Sequence, residues 1–257
     1  MSTDLLDARN LVKTFGGLRA VDDCSFSVAA GSITALIGPN GAGKTTVFNL
    51  ISGLLRPDGG EIRFRGERVD GLRPHAVSQR GITRTFQIPR ELERLTVLEN
   101  VLLYGKGQSG ERLHAALFTR PRFWRQERAL VRRAEDILGL VQLADLSQEY
   151  AAHLSGGQKK LLELARVLMA DPALVLLDEP GAGVNPALMT RLVEAIQADN
   201  RRGRTFLVIE HDMDLVMTLS HHVIVMSQGR RLAEGPFEEI RRNDEVLEHY
   251  FGRVASR

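Results

Sequence analysis

The spacing of apolar residues changes along the chain, and each spacing predicts an element. In Glu61-Ile62-Arg63-Phe64-Arg65 apolar and charged residues alternate, the period of a half-exposed strand. Pro57-Asp58-Gly59-Gly60 before it is turn chemistry. The first 35 residues and Glu61–Val69 therefore read as short strands. Ile33–Ile37 is an apolar strand running straight into a glycine-rich loop, after which Val47, Leu50, Ile51 and Leu54 recur at i, i+3, i+4 and i+7, one helix face. From Leu92 to Met169 the pattern is helical, interrupted near Gly105–Gly110 and Leu146–Gly157, with Leu161, Leu164, Ala165 and Leu168 marking a face. Strand and helix then alternate. Leu174–Leu177, Phe206–Ile209 and Val223–Met226 are apolar strands, and Met189, Leu192, Val193 and Ile196 line a helix. Non-alternating strands separated by helices predict a largely parallel sheet covered on both faces. The fold class expected is α/β, with an antiparallel β portion at the N-terminus and an inserted helical block.

Composition narrows the class. The 257 residues are 43% hydrophobic and 26% charged, which excludes collagen, low-complexity polymers and bulk disorder. No repeat of 20–50 residues is visible, so a solenoid or propeller is not expected. The longest unbroken apolar run, Ala173–Leu177, is far short of the ~20 residues a membrane span needs. Met1-Ser2-Thr3-Asp4 has no basic region before an apolar stretch, so no secretory signal is expected. Cys24 is the only cysteine, in keeping with a reducing compartment, and its apolar setting reads as core. The net charge of +2 hides an uneven distribution. Gly105–Arg133 holds eight basic and two acidic residues together with Phe118, Phe123 and Trp124. That stretch reads either as a face toward a partner at a membrane or toward anionic headgroups, or as arginines snorkelling over an apolar stripe.

Two motifs carry chemistry. Gly38-Pro39-Asn40-Gly41-Ala42-Gly43-Lys44-Thr45, followed by Thr46, satisfies G-x-x-x-x-G-K-[ST] between a strand and a helix. Glycines let the backbone wrap phosphates and aim N–H groups at them, and the helix N-terminus favours anions. Lys44 would reach the β- and γ-phosphates, and the Thr45 hydroxyl would ligate Mg²⁺. The second motif is Leu174-Val175-Leu176-Leu177-Asp178-Glu179. Its two carboxylates emerge at the C-terminal end of a buried strand, where open α/β sheets bind ligands. Asp178 suits the Mg²⁺ shell, and Glu179 is placed to polarise an attacking water.

Leu154-Ser155-Gly156-Gly157-Gln158 precedes a further helix, a second anion-binding N-terminus. A phosphate loop, then LSGGQ, then an apolar strand ending Asp-Glu resembles the ATP-binding-cassette (ABC) ATPases, in order and spacing, over nearly the whole chain. Gly181-Ala182-Gly183-Val184-Asn185-Pro186 departs from the family's common S-A-L-D loop and resembles the branched-chain (hydrophobic) amino acid importer ATPases of the LivG type. Thr14–Val21, Arg84-Thr85-Phe86-Gln87, Ile209-Glu210-His211-Asp212-Met213 and Tyr250-Phe251-Gly252 resemble the same subfamily.

The resemblance implies a single ABC ATPase domain over 1–257, with 1–87 and 169–257 as a RecA-like core plus β subdomain and 88–168 as a helical subdomain bearing the signature. It implies that Phe15 stacks on adenine and that Gln87 contacts Mg²⁺ or the water. It also implies that His211 contacts the γ-phosphate, and that Ser155, Gly156, Gly157 and Gln158 close the nucleotide site of a second copy. His221 and His222 lack metal-ligand spacing and read as structural. The implied cofactors are ATP and Mg²⁺. The implied partners are a second ABC ATPase subunit, in a homodimer or heterodimer, membrane permease subunits and, indirectly, an extracytoplasmic binding protein, with no nucleic acid. The implied location is peripheral, at the cytoplasmic face of the inner membrane. Rival readings are a urea-import or lipopolysaccharide-export ABC ATPase and a non-transport ABC protein, although no sustained heptads and only one cassette occur. A GTPase would need an N-K-x-D motif, which is missing.

Overall fold

A computed structural model describes residues 4–85, 92–105 and 120–251, with only the backbone described for 120–124 and 249–251. In chain order the elements are β1 (Asp4–Phe15), β2 (Leu18–Ala29), β3 (Ile33–Ile37), α1 (Lys44–Ile51), β4 (Gly59–Phe64), β5 (Glu67–Arg68), α2 (Pro74–Arg80), β6 (Ile82–Arg84) and α3 (Val97–Leu102). They continue with α4 (Arg120–Leu140), α5 (Gly156–Met169), β7 (Leu174–Asp178), α6 (Pro186–Asn200), β8 (Thr205–Ile209), α7 (Met213–Leu219), β9 (His222–Ser227), β10 (Arg230–Gly235), α8 (Phe237–Ile240) and α9 (Asp244–Phe251).

The contacts divide the chain into two units. The first comprises residues 1–84, 173–181 and 200–257. It holds a four-stranded sheet of order β2-β1-β4-β5 and a six-stranded sheet of order β10-β9-β3-β8-β7-β6. In the first sheet every pairing is antiparallel. In the second only β10 is antiparallel. This is the mixed α/β architecture that the apolar periods predict. Every residue of β3, β7 and β8 is buried, as expected of parallel strands covered on both faces.

The predicted face of α1 is correct for Val47, Leu50 and Ile51, which are buried, but Leu54 lies beyond the helix and is exposed. Ser52 closes the helix, and Gly53 follows at φ +74, the left-handed conformation that ends helices. A Cβ on Gly53 would stand 2.5 Å from the Leu72 carbonyl oxygen, so the stop is built into the packing.

Cys24 sits in the core of this unit beside Phe26, Val28 and Leu11. Burial pushes its thiol up to about 12. The thiolate is the reactive form, so the native protein should resist N-ethylmaleimide at neutral pH and react only once unfolded. Mass spectrometry with and without guanidinium checks this, and native labelling at the unfolded rate would overturn it.

The second unit comprises residues 85–172 and 182–199. Helices α3, α4 and α5 pack on one another, burying Val101, Leu138, Leu161, Leu164 and Leu168 among others. The interruption expected near Leu146–Gly157 is a connection with two short 3₁₀ turns, Ala144–Leu146 and Ala151–His153. The helix over 186–200 falls almost wholly within this unit, whereas the resemblance implies a core that includes all of 169–257. Its Leu188 side chain packs against Gly157 of α5, a tertiary contact that periodicity does not encode.

Candidate functional site

The strand β3 ends at Ile37, and α1 begins at Lys44 with Gly43 as its N-cap. No side chain caps the N–H groups of this helix. They form a donor cluster of the kind that binds phosphate. Two of the loop glycines are dictated by crowding as well as by conformation. Gly38 (φ +152) would place a Cβ 2.2 Å from the Met226 carbonyl oxygen, and Gly43 (φ +99) one 2.4 Å from that of Ala20. The loop is thus pressed between the end of β9 and strand β2. The Gly229 N–H donates to the Ala42 carbonyl (3.1 Å) and the Asp22 N–H to the Gly229 carbonyl (2.9 Å), which ties both neighbours to the loop.

Lys44 folds back over this loop, its ammonium donating to the carbonyls of Gly38 (2.7 Å) and Pro39 (3.0 Å). Burial holds its pKa below the usual lysine value, while the charges of Glu179 and Asp178 oppose that shift. Those carboxylates are therefore its electrostatic neighbours, as expected where two motifs serve one phosphate chain. Thr45 is exposed and Thr46 half-buried on the first turn of α1. Asn40 and Gly41 lie on the loop, Asn40 and Gly41 exposed and Ala42 buried.

Asp178, the last residue of β7, is 2% exposed. Its Oδ2 accepts from Arg84 Nη2 at 2.6 Å, and Arg84 Nη1 donates to Asn49 Oδ1 at 2.6 Å. The Arg84 guanidinium also lies over the Phe48 ring, 5.5 Å from its centroid. Arg84 therefore ties the end of β6 to the end of β7 and to α1. In the sequence Arg84 stands out only within a motif that marks a subfamily. Nothing in the periodicity announces a partner 94 residues away. Removing one member of a buried ion pair strips the other charge of much of its compensation, so Arg84→Met should destabilise this unit by about 3 kcal/mol. Urea unfolding monitored by circular dichroism checks this; a midpoint equal to wild type would show that the pair carries no stability.

Glu179 follows β7 at φ +48, a left-handed conformation uncommon for a non-glycine residue. Its Oε1 lies 2.8 Å from His211 Nε2. The strand order explains the meeting, since β8 adjoins β7 and His211 follows β8 by two residues. His221 is structural, as read from the sequence. Its Nδ1 accepts from the Ile33 N–H (3.0 Å), and its own N–H donates to the Ile33 carbonyl (2.8 Å), which locks the start of β9 to β3.

Phe15 ends β1 at the Gly16-Gly17 turn, 46% exposed, with the Lys13 ammonium 5.7 Å from its ring centroid. It pairs across the hairpin with Leu18, two residues before the Ala20 carbonyl against which Gly43 packs. An aromatic left uncovered at a hairpin end offers a free face for stacking. Gln87 lies outside the described residues, as do residues 106–119 of the basic stretch. Within α4, Arg125, Arg128 and Arg132 are exposed, and Arg133 pairs with Asp171 at 2.8 Å.

On the helical unit, Ser155 and Gln158 form a capping box. The Ser155 hydroxyl oxygen accepts from the Gln158 N–H (3.3 Å), and Gln158 Oε1 accepts from the Ser155 N–H (2.8 Å). Ser155 and Gly156 are exposed, whereas Gly157 is buried under Leu188, where a Cβ would lie 2.4 Å from Leu188 Cδ1. The motif thus has a local structural role beside any contact with a ligand. Asn185, which replaces the aspartate of the common loop, accepts the Leu188 N–H at 3.0 Å and caps α6. Asparagine and aspartate do this equally well.

Residues 21–182 match the family described as ABC transporter, and residues 230–256 match a second described as branched-chain amino acid ATP-binding cassette transporter. The chain is 43% identical over 248 residues to a probable branched-chain amino acid transport ATP-binding protein of Archaeoglobus fulgidus, covering 96% of this chain and 95% of the relative. It is 40% identical over 255 residues to the high-affinity branched-chain amino acid transport ATP-binding protein BraF of Pseudomonas aeruginosa, covering 99% of this chain and all of the relative. A crystal structure of the ADP conformation of an ATP-binding cassette of an ABC transporter superposes with a TM-score of 0.84 at 37% identity, covering 98% of this chain and all of that one.

Proposed function

The chain belongs to the ABC transporter ATPases, and on that premise we propose that it drives the import of branched-chain or other hydrophobic amino acids. It is the ATP-binding, ATP-hydrolysing subunit of such a transporter. The observation that carries the cargo assignment is the match at residues 230–256, a segment outside the nucleotide motifs, to a family described by that cargo. Its partners are then a second ATPase subunit, identical or different, and membrane permease subunits, with an extracytoplasmic binding protein upstream of them. Among the described residues no helix is long and apolar enough to cross a membrane. The proposed location is the cytoplasmic face of the inner membrane, with the spans on other chains. The segment 88–168, together with α6, acts as the helical subdomain and the rest as the nucleotide core.

In the proposed site, Gly38–Thr46 and Lys44 hold the phosphates and Phe15 stacks on the adenine. The Thr45 hydroxyl and Asp178 carboxylate are oxygen donors of the kind a hard cation takes, with Gln87 as a third, and Mg²⁺ bound there would neutralise charge on the phosphates. Glu179 accepts a proton from the attacking water, and His211, in contact with it, orients that carboxylate and faces the γ-phosphate side. One phosphate loop contacts only part of the triphosphate. Ser155, Gly156, Gly157 and Gln158 of a second copy close the remainder, so each dimer holds two nucleotides. Closure on ATP is the power stroke, and hydrolysis resets it.

Co-expression with the permease genes nearest to it, followed by reconstitution in proteoliposomes with the cognate binding protein, tests the cargo. ATP turnover stimulated by leucine, isoleucine or valine supports import of these amino acids; stimulation by urea alone would reassign the cargo and leave the ATPase in place.

A further inference from the structure

Glu210 lies between β8 and His211 and belongs to none of the nucleotide-contacting motifs, yet it is buried, with 5% of its surface exposed. A buried carboxylate requires compensation, and here backbone donors provide it. Its Oε1 accepts the Gly181 N–H at 2.8 Å, and its Oε2 accepts the His211 N–H at 3.1 Å. Gly181 closes the turn Glu179-Pro180-Gly181. The other end of that turn is tied to the same strand end, because the Glu179 N–H donates to the Ile209 carbonyl at 3.0 Å. The turn carrying Glu179 is therefore fastened at both ends to residues 209 and 210, and the next residue along is His211.

We propose that Glu210 is a positioning residue: one buried carboxylate straps the turn bearing Glu179 to the backbone of His211 and so sets the 2.8 Å contact between the two side chains. Glu179 is held in a strained left-handed conformation (φ +48) that would relax if either end of its turn were released. Burial raises the Glu210 pKa, and the N–H groups of Gly181, His211 and Asp212 pull it back, which is the balance of a carboxylate held by donors rather than by a countercharge. The inference rests on the roles proposed for Glu179 and His211 in hydrolysis. It adds a residue that acts through Glu179 and His211.

The test is a kinetic cycle on the full chain with Glu210→Gln, His211→Ala and the double variant, with Glu179→Gln as a reference. Glutamine keeps the volume but sets an NH₂ against the N–H donors on one side of the carboxylate, so one end of the strap opens. Expected results are a kcat lower by about 10- to 100-fold, with KM for ATP and affinity for a fluorescent ATP analogue within about twofold of wild type. In the His211→Ala background the same change should cost less than about threefold, since the position it maintains is no longer used. An unchanged kcat in Glu210→Gln, or an equal loss with and without His211, would overturn the strap while leaving the site assignment intact. Wild-type turnover in Glu179→Gln would instead remove the assignment on which it rests, and the strap with it. If Glu210→Gln does not fold, Glu210→Asp keeps the charge but shortens the reach. The same kcat loss at constant KM is then expected, and wild-type kcat overturns the proposal.

Discussion

Glu179→Gln should abolish steady-state ATP turnover and trap an ATP-bound dimer. Glutamine has nearly the shape of glutamate and its carbonyl can still accept from His211 Nε2, so the 2.8 Å contact can persist. What is lost is the basicity, and a positioned general base is worth about 10²–10⁴-fold in rate. In the proposed site nucleotide binding rests on other residues, chiefly the Gly38–Thr45 loop with Lys44, and should remain. A protein that binds ATP, closes and cannot hydrolyse accumulates in the closed state. Size-exclusion chromatography with Mg-ATP should show the variant as a dimer where wild type returns to monomer. A monomer with wild-type turnover would remove both the base assignment and the dimeric mechanism.

Lys44→Ala should act earlier, on binding itself. The ammonium is buried and holds the Gly38 and Pro39 carbonyls of its own loop. Its removal subtracts a positive charge from the phosphate site and leaves two loop carbonyls without that partner. Charge-assisted hydrogen bonds contribute about 1.5–3 kcal/mol each, so ATP affinity should fall by about 10- to 100-fold. Hydrolysis should fall further, because in the proposed site the same ammonium faces charge that grows in the transition state. Lys44→Arg should not restore either property, since a planar guanidinium cannot occupy the space of a compact ammonium between two carbonyls. Titration with a fluorescent ATP analogue, paired with phosphate-release kinetics, separates the two losses. Affinity equal to wild type in Lys44→Ala would show that the lysine does not hold the phosphates.

Much of the proposed site was legible in sequence because its chemistry needs particular residue types at contiguous spacing. Glycines at 38, 41 and 43 followed by Lys44 and Thr45 can be read without coordinates. So can two carboxylates closing an apolar strand, since a strand end is a local feature. The fold class was legible for a similar reason, because uniformly apolar strands between helices have one common burial solution. Four features were not. Leu54 continues the helical period of α1, yet Gly53 turns the chain away first, and a count of apolar positions does not weigh a left-handed glycine against a matching spacing. Helix α6 reads as part of an alternating core, whereas its Leu188 seats on Gly157 within the helical unit. Arg84 and Glu210 appeared only as letters in subfamily motifs.

The sequence alone determined the strand–loop–helix proposed to bind phosphate, the acidic strand end and the signature before its helix, because each is set by neighbours within a few residues. Only the tertiary structure decided how those pieces are held. The order β3-β8-β7-β6 brings His211 to Glu179 and Arg84 to Asp178, across 32 and 94 residues respectively. Parallel pairing aligns the C-terminal ends of strands remote in sequence, and burial then requires every charge gathered there to find a partner.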